Sequence, residues 1–251
     1  MSFDPSGKTP QMTPSKTPWI ICDFDNTLMG TEALAIPSLL ARFNHLYAAQ
    51  LGRAVSLEEF FEHFQGMARE NLCEAMSDRY GIDVSYPILF AKREESVTSY
   101  FREVGVEMAP HLIEAFTALR DEHGAKFAFA SNNMIQRCLA AMRFASNGQG
   151  EKLASFFGTH YFEAGSVQKP DPDVYLRAIE FCGANPAYAC AVEDSPTGVK
   201  AAVAAGLKTF GFIGYAEHAA EREKELLALG AVACFKDWAD FPGLWLAHAN
   251  R

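Results

Sequence analysis

Two pairs of carboxylates stand where short apolar runs end. Ile20-Ile21-Cys22 leads into Asp23-Phe24-Asp25-Asn26-Thr27-Leu28, and Ala189-Cys190-Ala191-Val192 leads into Glu193-Asp194-Ser195-Pro196-Thr197-Gly198. Residues two apart in an extended segment share a side, so Asp23 and Asp25 face the same way. Crowded carboxylates repel unless a cation or a shared proton relieves them. An Asx turn ending the strand is the structural alternative for the first pair. The second has one too: negative charge is favoured at a helix N-terminus, and Ser195 with Pro196 makes a good N-cap and first helical residue. If both pairs open into one crevice, three or four carboxylates need a hard cation, and oxygen ligands with retained water suit Mg²⁺.

Two further segments carry groups that an anion would need. The apolar run 126–130 leads into Ser131-Asn132-Asn133, where a hydroxyl, an amide and the N–H groups of a following helix can donate. Plain helix capping accounts for the same residues. Gln168-Lys169-Pro170-Asp171-Pro172-Asp173 sets one lysine in a loop before a helix started by Asp171 and Pro172. On its own, such a lysine reads as solvated surface.

The elements that must position these residues follow from periodicity. Segments 19–24, 126–130, 189–192, 209–213 and 232–235 are brief, apolar and bounded by turn residues, as buried parallel strands are. Amphipathic helices are predicted over 112–123, 134–145, 174–182, 197–205 and 219–229, and Gly124, Gly183, Gly206 and Gly230 follow four of them as stops. Strands alternating with helices predict an α/β fold, a doubly wound and mostly parallel sheet with a Rossmann-like core. Ligands of such sheets bind beyond the carboxyl ends of the strands, where both acidic pairs stand. Residues 31–108 show helical periodicity only, over 34–51, 57–64, 71–80 and 88–104, with breaks at Gly52, Gly66, Gly81 and Pro87. They predict a helical insertion, giving a flexible tail over 1–17, a core over 18–30 and 109–251, and a helical cap over 31–108.

Composition narrows the partners. Of 251 residues, 49% are apolar and 12% aromatic, enough for a substantial core. A net charge of -9 without a basic block argues against nucleic acid, whose affinity comes from Lys and Arg neutralising phosphates. Any phosphorylated partner should therefore be small. The longest apolar runs fall short of the roughly 18 residues that span a bilayer, so no membrane partner is expected. The six cysteines are scattered singly without a C-x-x-C pair and read as buried, reduced thiols, consistent with the cytoplasm. A monomer or small homo-oligomer is expected.

Taken in order, Asp23-Phe24-Asp25-Asn26-Thr27-Leu28, Ser131-Asn132, Lys169-Pro170 and Glu193-Asp194-Ser195-Pro196-Thr197-Gly198 resemble the four motifs of the haloacid dehalogenase-like hydrolase superfamily. The resemblance spans about residues 17–235, and the helical insertion falls where that superfamily carries its cap. It implies that Asp23 is a nucleophile forming an aspartyl phosphate, and that Asp25 is the general acid and then the base. It implies Mg²⁺ held by the Asp23 carboxylate, the Asp25 carbonyl and Asp194, with Glu193 direct or one shell out. Lys169 would neutralise Asp23 and a phosphoryl oxygen, and Ser131 and Asn132 would bind the remaining oxygens.

Within the superfamily, true dehalogenases lack a second aspartate and need no metal, so Asp25 with Glu193-Asp194 favours phosphoryl transfer. Phosphonate hydrolases use a cap lysine as a Schiff base, whereas residues 31–108 hold only Lys92, in a charged Lys-Arg-Glu-Glu run. The resemblance thus implies a Mg²⁺-dependent phosphatase acting on a small phosphorylated metabolite. The rival is a sugar-phosphate mutase like β-phosphoglucomutase. Segment 29–35 lacks the histidine of those enzymes, but Gln65-Gly66-Met67-Ala68-Arg69-Glu70-Asn71-Leu72 partly matches their cap substrate loop, which makes Arg69 a candidate substrate contact. An exposed arginine near a helix start is the structural alternative. A non-catalytic phosphate-binding protein would not need both Asp23 and Asp25.

Overall fold

The computed structural model describes residues 16–64 and 69–249. Its sheet has six strands: β1 (Trp19–Cys22), β2 (Lys126–Ser131), β3 (Tyr161–Glu163), β4 (Ala189–Glu193), β5 (Lys208–Phe212) and β6 (Ala233–Phe235). Every pairing is parallel, in the order β3-β2-β1-β4-β5-β6. The order reverses at β1 and β4, which puts the ligand crevice beyond their carboxyl ends. In register Cys22 lies beside Val192, so Asp23 and Glu193 emerge side by side.

The four central strands, β1, β2, β4 and β5, are buried on both faces, and the faces differ. Phe127, Phe129, Cys190, Val192, Phe210 and Phe212 point into one cluster, which also takes residues of α6 (Leu112–His123), α7 (Ile135–Arg143), α8 (Gly150–Phe157) and α12 (Phe241–Ala249). Ala128, Ala130, Ala189 and Ala191 point the other way, toward α9 (Asp173–Cys182) and α10 (Pro196–Ala204). Alanines let these helices approach the sheet closely, while rings on the opposite face fill a thicker layer. The helix α11 (Ala219–Ala228) closes the β5–β6 side with Leu226.

Between β1 and β2 run α1 (Ala35–Leu51), α2 (Leu57–Phe64), α3 (Arg69–Tyr80), α4 (Tyr86–Leu89) and α5 (Arg93–Val104). The first four share a core of their own, centred on Phe43, Phe60, Phe64, Met76 and Leu89. By contrast, α5 delivers Val97 and Phe101 to the ring-rich cluster of the sheet. Among the described residues no helix is long and apolar enough to cross a membrane.

Several local expectations need correction. The first strand stops at Cys22 rather than residue 24, because Asn26 turns at φ 56° and donates its N–H to the Met29 carbonyl at 2.7 Å. The segment 88–104 is two helices, since Lys92 at φ 52° interrupts it and Pro87 sits in the first turn of α4 instead of breaking the chain. The helices α8 and α12 and the edge strand β3 were not foreseen. Three residues cannot display a period, and α12 (FPGLWLAHA) is apolar without a polar stripe and carries Pro and Gly in its first turn. Of the six thiols, all free, Cys182 and Cys234 are half-buried rather than buried.

The start of α8 shows how tightly the ring-rich side is packed. A Cβ on Gly150 would fall 1.6 Å from the Met142 carbonyl oxygen. Replacing a helical glycine by alanine ordinarily stabilises by up to about 1 kcal/mol. Gly150→Ala should instead destabilise, by about 1–3 kcal/mol, because backbone must move. Urea unfolding checks the sign.

Candidate active site

Four strand ends and loops deliver the polar residues to one place. Asp23 continues the ladder, donating its N–H to the Val192 carbonyl at 2.8 Å. Its Oδ1 accepts from Lys169 Nζ at 2.6 Å, and the same ammonium donates to Glu193 Oε1 at 2.6 Å and to the Ala130 carbonyl at 2.7 Å. Those three short bonds match the three ammonium protons, and the Tyr175 hydroxyl oxygen accepts more weakly from Nζ at 3.3 Å. Glu193 Oε1 also accepts from the Tyr175 hydroxyl at 2.6 Å, and the Tyr175 ring lies 4.9 Å from Lys169 Nζ. The loop that carries Lys169 is pinned where its N–H donates to Asn132 Oδ1 at 2.9 Å.

Gly198 makes room for Glu193. A Cβ there would lie 1.9 Å from Glu193 Oε2, so any other residue at this position would have to displace the carboxylate. Ser195 caps that helix, accepting from the Gly198 N–H at 3.0 Å. Asp194 accepts from the Thr27 hydroxyl at 3.2 Å, and the Trp238 indole N–H ties down the Thr27 carbonyl at 3.1 Å.

Asp25 is held separately. Its Oδ1 accepts from the Thr31 hydroxyl, and its Oδ2 from Ser131 Oγ at 3.1 Å and Asn133 Nδ2 at 2.8 Å. Ser131 Oγ in turn accepts from the Asn133 N–H at 2.9 Å.

Electrostatics show what this arrangement lacks. Asp23, Glu193 and Asp194 each offer a carboxylate oxygen within 4.8 Å of the others. Burial pushes the Asp23 carboxyl well above the usual carboxylate range; Lys169 opposes this, and Glu193, Asp194 and Asp25 reinforce it. Burial raises Asp194 likewise, with Glu193 and Glu32 adding repulsion. For Lys169, burial favours loss of the proton, but Asp23 and Glu193 outweigh it and hold the ammonium above its ordinary pKa. One ammonium against this many carboxylates leaves excess negative charge, and an all-oxygen donor set this compact fits a small hard cation.

Of the residues singled out in the sequence, Asp23, Asp25, Ser131, Asn132, Lys169, Glu193 and Asp194 thus meet at one end of the sheet. The carboxylate of Asp25 is not part of the three-carboxylate cluster. One expectation fails: the first N–H of α7 is not free for an anion, because Ile135 donates it to Glu163 Oε2 at 2.9 Å. Residues 65–68 lie outside the described residues, and Arg69 enters only as the first residue of α3. Sequence reasoning passed over Thr31, Asn133 and Tyr175 as site residues. Asn133 adjoins Ser131, and Tyr175 stands in the first turn of α9 just after the lysine loop, which were the available signals.

A family model described as haloacid dehalogenase-like hydrolase matches residues 18–206, which span β1 through α10 and every residue of this cluster. The chain belongs to the haloacid dehalogenase-like hydrolases. It is 25% identical over 219 residues to a phosphorylated carbohydrates phosphatase of Thermotoga maritima, covering 86% of this chain and 93% of that protein. Among solved structures, it resembles a Thermotoga maritima protein provisionally named a beta-phosphoglucomutase, with TM-score 0.72, 22% identity and coverage of 92% and 100%. It also resembles a HAD family hydrolase of Deinococcus radiodurans with bound phosphate and sodium, with TM-score 0.66, 23% identity and coverage of 94% and 97%. Both structures share the fold of this haloacid dehalogenase-like hydrolase.

The buried ammonium gives a direct test of these electrostatics. Lys169→Met leaves Asp23 and Glu193 buried without their counter-charge and should cost about 3–5 kcal/mol of stability. Adding Asp23→Asn should recover part of that loss. Chemical denaturation of the single and double variants measures it, and a double variant no more stable than Lys169→Met would contradict the reading.

Proposed function

We propose that this chain is a Mg²⁺-dependent phosphatase that hydrolyses a small phosphorylated metabolite, of the phosphorylated-carbohydrate kind, through an aspartyl phosphate on Asp23. The observation that carries the reading is Asp23 bonded to the buried Lys169 inside a cluster of three carboxylates. The activity of the Thermotoga maritima phosphatase supports it in kind.

In this reading Lys169 fixes one oxygen of Asp23 and so the direction of the other, which attacks phosphorus. An O–P bond forms to Asp23 as the bond to the leaving oxygen breaks, and Asp25 gives that oxygen its proton. Asp25 then takes a proton from water, the water oxygen attacks phosphorus, and the bond to Asp23 breaks to release inorganic phosphate. Ser131 and Asn132 donate to phosphoryl oxygens. The Asp23 and Asp194 carboxylates and the Asp25 carbonyl would hold Mg²⁺. Glu193, whose Oε1 is already committed to Lys169 and Tyr175, would act from one shell out. Bound there, Mg²⁺ supplies positive charge that lets an anionic phosphate approach a carboxylate.

The helices α1 to α4, which follow the loop carrying Asp25 and have their own core, serve here as a cap that closes over the crevice and selects the leaving group. The free thiols suit a cytoplasmic location.

Asp23→Asn should lower turnover of p-nitrophenyl phosphate by at least about a thousandfold, measured by p-nitrophenolate release. Mg²⁺ should raise the melting temperature of the wild type, and Asp194→Ala should lose both that shift and most activity. Hexose 1-phosphates should yield inorganic phosphate. A hexose 6-phosphate product would replace hydrolysis by the mutase reading.

A further inference from the structure

Asp25 must keep its orientation while its neighbours change partners, and Ser131 cannot hold it throughout. A serine hydroxyl has one proton. It now goes to Asp25 Oδ2 at 3.1 Å, and a phosphoryl oxygen bound by Ser131 would claim it. The remaining donors to the carboxylate are the Thr31 hydroxyl and Asn133 Nδ2.

An asparagine amide can present either end, and its neighbours decide which. Asn133 Oδ1 accepts from Arg137 Nη1 at 3.1 Å. Guanidinium donates only, so a carbonyl oxygen must face it and the NH₂ end must face Asp25. Arg137 lies one turn along α7 and is only 5% exposed. Its position at the seam between α7 and α5 is a costly one. Glu94 Oε1 on α5 stands 3.9 Å from Nη1, and Arg137 Nε and Glu94 Oε2 are both buried without a hydrogen-bond partner among the described residues. A buried guanidinium with an unpaired Nε adds little to stability, whereas its bond to Asn133 fixes the amide that orients Asp25.

We infer that Arg137 is a positioning residue for the reaction: acting through Asn133, it holds the Asp25 carboxylate in line with the leaving oxygen once Ser131 has turned to the phosphate. The inference rests on the general-acid role proposed for Asp25. Thr31 secures Oδ1 and the Arg137–Asn133 pair secures Oδ2, so the two oxygens are held from opposite ends of the carboxylate. Loss of Arg137 removes the donor that fixes Asn133 Oδ1 and frees the amide to turn away from Asp25.

Two aryl phosphates of nearly the same shape read this out. Phenoxide needs a proton on departure far more than p-nitrophenoxide does, so the ratio of kcat/KM for phenyl phosphate to that for p-nitrophenyl phosphate reports proton donation by Asp25. Asn133→Ala and Arg137→Met should each lower the ratio by about tenfold, a part of what a general acid contributes. Arg137→Lys, which still only donates, should return it to within about twofold of wild type. Asp25→Asn should collapse the ratio further than either. If Asp25→Asn collapses the ratio but both substrates fall together in Asn133→Ala and Arg137→Met, Arg137 is structural and the inference fails. If Asp25→Asn leaves the ratio intact, the general-acid assignment itself fails. Should Arg137→Met not fold, as its thermal melt will report, Asn133→Ala carries the same test at a half-buried position.

Discussion

A single ammonium buried among carboxylates governs the organisation of this protein. Lys169 donates to Asp23, to Glu193 and to the Ala130 carbonyl, joining the ends of β1, β4 and β2 through one nitrogen. Neither charge could be buried alone: the ammonium would shed its proton and the carboxylates would take one up. Each therefore depends on the neighbouring strands keeping their register. Tyr175 completes the shell by giving its proton to Glu193 and its ring face to Lys169. The pairing accounts for the local structure around it, including the glycine at position 198 and the Asn132 side chain that pins the lysine loop.

The pairing also separates two jobs that carboxylates perform side by side. Asp23, Glu193 and Asp194 are crowded and short of positive charge, which suits them to a cation. Asp25, two residues from Asp23, is surrounded by neutral donors: two hydroxyls and an amide. Distinct environments a few ångströms apart are how one crevice supports both a nucleophile and a proton carrier. The turn at Asn26 contributes by folding the chain back so that Thr31 reaches Asp25.

Much of this was legible in the sequence, and the reasons are physical. Buried parallel strands are continuous apolar runs, so β1, β2, β4, β5 and β6 were visible, and strand ends in such sheets are where ligands bind, so the acidic pairs stood out. Residues inside the four motifs were legible, although Asn133, next to one of them, was passed over as a site residue. Those tied to a motif by tertiary contact were not: Tyr175 and Arg137 look like ordinary members of amphipathic helices, and only the fold shows that one touches Glu193 and the other Asn133. The same limit explains β3, whose Glu163 takes the first N–H of α7 away from any anion, and the split between α4 and α5, where a lysine adopts a left-handed conformation that its residue type does not advertise.

The separate core of α1 to α4 has an evolutionary consequence. Phe43, Phe60, Met76 and Leu89 pack with one another and not with the ring-rich layer against the sheet. Substitutions in one hydrophobic cluster then reach the other chiefly where α1 packs against α5, and those elsewhere add independently. A lineage can remodel that small helical lobe, and with it whatever the lobe meets, while the machinery at the strand tips is inherited unchanged.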